Sequence, residues 1–123
     1  MSLLVLHIDD DQVNRDYISR VLAHTGWDVV TAPDAQTGLT MATSQRPDLI
    51  ITDIDLPDMS GIELIRHLRR DMHTTPPIIA MSADILHDRA ALDAGAQVFL
   101  AKPVSIDILL DTIQRLESVP RFN

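Results

Sequence analysis

Short apolar runs of strand type alternate with longer stretches of helical period five times along this chain, and that alternation limits the fold more than any other feature. The first run is Leu3-Leu4-Val5-Leu6-His7-Ile8, followed by Asp9-Asp10-Asp11. Apolar residues then recur at Val13, Tyr17, Ile18, Val21 and Leu22, the spacing of one helix face, and Gly26 supplies a stop. The second unit is a strand from Trp27 to Ala32 and a helix capped by Asp34 that ends near Gln45, before Pro47. The third is a strand from Leu49 to Thr52, a loop rich in Asp, and a helix near Ile62 to Arg70. Pro76-Pro77 precedes the strand Ile78 to Met81, and a less apolar helix runs from about Ile85 to Ala94 with Gly95 behind it. The last unit is Val98-Phe99-Leu100 and a helix from about Ile106 to Leu116, with Ile106, Leu109, Leu110, Ile113 and Leu116 facing inward.

Strands in strict alternation with helices form parallel crossover units, and right-handed crossovers place helices on both faces of a buried sheet. The expected class is therefore α/β, a doubly wound parallel sheet. A chain of 123 residues suits one such domain, 1–123, and carries no internal repeat. On this reading the chain has no room for a DNA-binding domain, and it is either a stand-alone unit or a piece of something longer. No apolar stretch reaches the length of a membrane span. The net charge of −8 argues against nucleic acid or an anionic membrane as a partner, and the absence of cysteine fits a reducing, cytoplasmic setting.

In sheets of this kind ligands sit outside the carboxyl ends of the strands. Those ends carry Asp9 and Asp10 after the first strand, Asp53 after the third, Ser82 after the fourth, and Lys102-Pro103 after the fifth. Taken singly, each has a structural explanation, since Asp caps helices, Ser ends strands and Lys occupies loops. Asp11 reads as a cap and nothing more. With sixteen Asp among 18 acidic residues, an isolated Asp says little, so position carries the argument. Lys102 is different, because it is the single lysine among 10 basic side chains. Lysine offers a compact point charge for one oxygen in a tight site, where arginine offers a wide fork.

Clustered carboxylates suit a hard cation such as Mg²⁺, which binds one or two of them and keeps positions for phosphate oxygens. A metal of that kind makes a phosphoryl donor the natural substrate, with Asp53 as the nucleophile that becomes an acyl phosphate and Lys102 and Ser82 holding the remaining oxygens. The arginines Arg66, Arg69 and Arg70 in the third helix read as solvated residues complementing the helix dipole rather than as a binding patch. No glycine-rich loop follows any strand, which disfavours a nucleotide-binding module.

Taken in order, the pair Asp9-Asp10, "DLIITDIDLPDMSG" around Asp53, "IIAMSA" around Ser82 and "FLAKP" around Lys102 resemble the receiver domains of two-component response regulators. The resemblance covers essentially the whole chain. It implies a flavodoxin-like five-stranded sheet of order 2-1-3-4-5, which makes the first and third strands neighbours. It further implies that Asp53 is the phosphoacceptor, that Asp9 and Asp10 with Asp53 and the backbone carbonyl of Asp55 hold Mg²⁺, and that Lys102 pairs with the phosphoryl group. Ser82 takes the switch-hydroxyl position, Phe99 the switching aromatic position, and the Lys102–Pro103 bond is expected to be cis. The implied donor is a sensor histidine kinase or histidine phosphotransfer protein. The implied target is a protein docking on the fourth helix, fifth strand and fifth helix, and the implied role is that of a signalling module, not a turnover enzyme.

Three departures accompany the resemblance. Asp55 and Asp84, each two residues past a site residue, are acidic at variable, modulating positions, and His7 stands where an aliphatic residue is usual. His7 is expected to be a buried or edge histidine with its hydrogen bonds satisfied and no functional role. The rival readings are an Asp-nucleophile phosphatase of haloacid-dehalogenase type, whose Asp-x-Asp signature "DIDLP" also resembles, and a receiver-like scaffold that works without phosphorylation. The phosphatase family carries its motif after the first strand, whereas here it follows the third.

Overall fold

The computed structural model describes residues 3–72 and 76–117. The outermost residues of the expected domain, 1–2 and 118–123, lie outside them. Five strands, β1 (Leu4–Ile8), β2 (Asp28–Ala32), β3 (Leu49–Asp53), β4 (Ile78–Ser82) and β5 (Val98–Ala101), form one parallel sheet in the order β2-β1-β3-β4-β5. The helices are α1 (Gln12–Ala23), α2 (Ala35–Gln45), α3 (Gly61–Asp71), α4 (Asp88–Ala94) and α5 (Ile106–Glu117). The doubly wound fold and the strand order are as expected.

Side-chain alternation along the strands splits the core in two. Leu6 and Ile8 of β1, Ile50 of β3 and Ile78 and Ala80 of β4 pack with Ala35 and Ala42 of α2, Leu64, Ile65 and Leu68 of α3, and Ala91 of α4. Val5, Ile51, Ile79 and Met81 point the other way, onto Leu22 of α1 and Leu109 and Ile113 of α5. The sheet is thus covered on both faces, which is why its strands read as continuous apolar runs. Each burial of a large aliphatic side chain contributes on the order of 1.5–3 kcal/mol.

Local codes set the helix starts. Asp11 accepts from the Val13 amide and Asp34 from that of Thr37, the capping expected of both. The α2 start has a second cap, Asp58, whose two oxygens accept from the amides of Ala35 and Gln36. These hydrogen bonds hold the Asp58 carboxyl below its usual range. They also tie the β3–α3 loop to α2. Gly38 lies in α2 because the helix passes close to β1: a Cβ there would stand 2.5 Å from Cδ1 of Ile8.

Three expectations need correcting. The helix predicted from Ile85 to Ala94 opens as a 3-10 turn, Ile85–His87, which Asp84 caps by accepting from the Leu86 amide, before α4 proper begins. Val13 and Tyr17 share the apolar stripe of α1 but are 73% and 53% exposed. Arg69 is not a solvated dipole partner. Its guanidinium donates to the carbonyls of Gly95 and Pro76 and to the Gln97 side chain, clamping α3 to the segments on either side of β4 and α4. Arg66 and Arg70 are exposed, as expected.

Candidate functional site

Parallel strands deliver all their carboxyl ends to one edge, and the central position of β1 and β3 brings Asp9, Asp10 and Asp53 together there. The three offer one carboxylate oxygen each, all within 4.8 Å of one another. Asp9 and Asp53 are buried and Asp10 is exposed, so the group opens to solvent on one side. Asp9 Oδ1 accepts from the Asp11 amide at 2.9 Å, and the Asp9 carbonyl accepts from Arg15 at 2.7 Å. Its Oδ2 has no hydrogen-bond partner. A buried, unpartnered, hard oxygen atom beside two further carboxylates fits a divalent cation, which would satisfy it and offset the mutual repulsion of the three.

Lys102 enters the cluster from the end of β5. Its Nζ donates to Asp53 Oδ2 at 2.6 Å, stands 2.5 Å from Oδ1, and lies 3.8 Å from Asp9 Oδ2. The Lys102 amide donates to the Ser82 carbonyl, extending the β4–β5 ladder to the site, and the Lys102–Pro103 peptide is cis as expected. Even with the ammonium beside it, burial pushes the Asp53 carboxyl up to about 7, and the neighbouring Asp9 charge adds to that effect. Among the described residues this is the carboxyl with the largest resolved displacement.

The loop after Asp53 is held by backbone. Ile54 N–H donates to the Met81 carbonyl and Gly61 N–H to the Ile54 carbonyl. A Cβ on Gly61 would lie 2.2 Å from the Asp53 carbonyl oxygen, so only glycine lets α3 start this close to the acidic residue. Beside the cluster, a cleft of about 350 Å³ runs between α1 and the β5–α5 loop, with Tyr17, Ile18, Lys102 and Val104 on its walls. It accounts for the exposure of Tyr17.

Ser82 ends β4 and is buried, but its hydroxyl engages other groups than the carboxylate cluster. Oγ accepts from the Asp84 amide at 3.0 Å and has Asp55 Oδ2 at 3.2 Å and His87 Nδ1 at 3.0 Å. The Asp55 side chain thus faces Ser82. Phe99 is half-buried against the α2, α3 and α4 core, in register with Ala80 of β4. Asp84 is spent on the cap of the 3-10 turn.

His7 corrects an expectation. It is fully buried in β1, but neither ring nitrogen has a hydrogen-bond partner; the nearest anion, Asp9 Oδ2, is 3.7 Å from Nε2. Burial lowers its pKa to about 4 despite that anion, so the ring is neutral at neutral pH. Sequence reasoning also missed Asp58, Arg69 and His87, whose contacts have no local signature.

Residues 5–114 match the response regulator receiver domain. The chain belongs to that family. The receiver is 35% identical over 118 residues to the probable transcriptional regulatory protein TcrX of Mycobacterium tuberculosis, covering 95% of this chain and 49% of that protein. It is 35% identical over 117 residues to the response regulator MprA of Mycobacterium bovis, covering 94% of this chain and 51% of that one. The receiver therefore spans about half the length of the curated relatives it matches. Among solved structures it resembles the chemotaxis response regulator CheY4 of Vibrio cholerae, with a TM-score of 0.87, 31% identity and coverage of 94% and 99%. It also resembles the Francisella response regulator 1452 receiver domain, with a TM-score of 0.86, 30% identity and coverage of 94% and 96%. The described residues include no helix long and apolar enough to cross a membrane.

Proposed function

We propose that this receiver domain, 1–123, accepts a phosphoryl group on Asp53 from a phosphohistidine of a sensor histidine kinase or histidine phosphotransfer protein. The observation that supports this best is the placement of Asp53: at the end of a central strand, gripped by Lys102 through both oxygens and flanked by two further carboxylates. An Asp53 oxygen attacks phosphorus, the bond from phosphorus to the imidazole nitrogen breaks, and the donor imidazole takes up a proton as the acyl phosphate forms. Lys102 releases part of its hold on Asp53 and follows the phosphoryl oxygens, contributing a point charge where negative charge gathers.

Asp9, Asp10 and Asp53, with the backbone carbonyl of Asp55, would hold Mg²⁺, a cation suited to an all-oxygen donor set. When bound, it neutralises the carboxylates and the transferred group. Ser82 turns its hydroxyl to a phosphoryl oxygen, Phe99 shifts toward the space it leaves, and the face made by α4, β5 and α5 changes for a downstream protein. The domain is a signalling module of the cytoplasm, and its catalysis is limited to its own phosphorylation and dephosphorylation. The charge argument against nucleic acid concerns this chain's surface alone, as TcrX, of twice the length, is named a transcriptional regulatory protein.

Intact-mass measurement after incubation with acetyl phosphate and Mg²⁺ tests the reading. One phosphoryl adduct is expected, absent without the metal and absent in Asp53→Asn. An adduct of equal yield in Asp53→Asn, or none in the wild type, overturns it.

A further inference from the structure

The hydroxyl of Ser82 sits in a network that the phosphoacceptor reading does not use. Its partners come from two loops, Asp55 from the one after β3 and Asp84 and His87 from the one after β4. A serine hydroxyl carries a single proton and two lone pairs. One lone pair is taken by the Asp84 amide, which donates to Oγ at 3.0 Å. The proton has two claimants, His87 Nδ1 at 3.0 Å and Asp55 Oδ2 at 3.2 Å. Nε2 of the same imidazole faces Asp84 Oδ2 at 3.8 Å, and a carboxylate on that side favours the tautomer with its proton on Nε2. Nδ1 is then an acceptor aimed at Oγ.

We propose that His87 is a positioning residue that latches the Ser82 hydroxyl in the resting state by accepting its only proton, and so sets how readily this receiver moves to its phosphorylated conformation. The inference rests on Ser82 serving as the hydroxyl that turns to the phosphoryl group. Donation to a phosphoryl oxygen and donation to His87 are mutually exclusive, because one proton cannot serve both. Every contact that holds the hydroxyl in its resting place is a differential interaction with one of two states, and such interactions are what set their populations. His87 is well suited to this, since it stands on a 3-10 turn fixed by the Asp84 cap while its own side chain is 32% exposed and can swing away. Asp55 Oδ2, at 3.2 Å, is the competing acceptor of the same proton.

Two measurements decide it. In the unphosphorylated protein the ¹⁵N shift of His87 Nδ1 is expected to move in Ser82→Ala; an unchanged shift overturns the latch. In the presence of Mg²⁺, His87→Ala is expected to bind beryllofluoride more tightly than wild type. The gain should be roughly fivefold, the ratio that loss of one ordinary hydrogen bond from the resting state implies. His87→Asn, which can return an acceptor near the place of Nδ1, is expected to restore affinity toward wild type. Equal affinities for wild type and His87→Ala overturn the latch, and so does a gain of the same size in His87→Asn, which would assign the effect to ring packing. A wild type that binds no beryllofluoride overturns the phosphoacceptor reading itself, an outcome distinct from both.

Discussion

His7 Nε2 and Asp9 Oδ2 face each other at 3.7 Å, both buried and both without a hydrogen bond. A neutral imidazole below and a crowded carboxylate above leave the centre of the site polar and unsatisfied, a state that costs stability. The cost is tolerable at a site proposed to receive a cation or phosphoryl group, and it can be read out by pH.

Two groups at this centre titrate in opposite senses. His7 has a pKa of about 4 when folded against 6.5 unfolded, so its contribution is full above about 6.5 and is lost as pH falls toward 4. Asp53 is at about 7 when folded against 3.8 unfolded, so the folded state binds the extra proton, and stability is lost as pH rises from 3.8 through 7. In metal-free protein, Asp53→Asn should match wild type near pH 4 and exceed it by about 5 °C or more in Tm above pH 7. His7→Val should gain at all pH values and gain most near pH 4. Thermal melts from pH 4 to 8 check both, and parallel profiles for the variants and wild type would contradict the assignment.

Metal binding should follow the same charges. Mg²⁺ is expected to bind only the folded cluster and so to raise Tm, with a gain of about 2.7 kcal/mol at a hundredfold excess over Kd. Asp10→Asn removes one of the three clustered carboxylates. It should melt higher than wild type in the presence of a chelator and respond less to Mg²⁺. A lower metal-free Tm with an unchanged Mg²⁺ response would dissociate Asp10 from the cluster.

The two helical glycines near the site should differ sharply. At Gly61 an added methyl meets the Asp53 carbonyl at 2.2 Å and the Ile54 Cα at 2.7 Å, backbone atoms that cannot yield without moving the acidic loop. Gly61→Ala should cost about 3 kcal/mol or more and abolish phosphorylation by acetyl phosphate. At Gly38 the obstacle is the end of the Ile8 side chain, which can rotate, and alanine brings better helix propensity. Gly38→Ala should therefore stay within about 1.5 kcal/mol of wild type by urea denaturation and keep its phosphorylation.

Arg69 should matter for stability and not for metal. Its guanidinium satisfies two backbone carbonyls and the Gln97 oxygen that also accepts from the Ile78 amide. Arg69→Ala should destabilise by about 2 kcal/mol, as several charge-assisted hydrogen bonds are lost and the carbonyls stay behind. Urea titration gives the stability and isothermal titration the Mg²⁺ affinity; a large change in the second with none in the first would reverse the assignment.

The sequence by itself determined the elements and the edge at which they would act. Apolar period and capping residues such as Asp11 and Asp34 are local codes, decided within a few residues of chain, and they survive into the structure. Alternation then forces parallel strands, and parallel strands gather Asp9, Asp10, Asp53, Ser82 and Lys102 at one edge, so this part of the site is legible in the sequence. That β1 and β3 are neighbours came from family resemblance, because alternation alone permits other orders. Tertiary structure decided which carboxylate does what. Asp58, one of sixteen similar residues, is spent on the amides of Ala35 and Gln36, while Asp55 faces the Ser82 hydroxyl. It also turned Arg69 into a clamp, left His7 without a hydrogen-bond partner and set His87 against Ser82. The physical reason is range: a hydrogen bond is fixed by distances of about 3 Å, and most of these partners lie 22 or more residues apart in sequence, where only the folded chain brings them into reach.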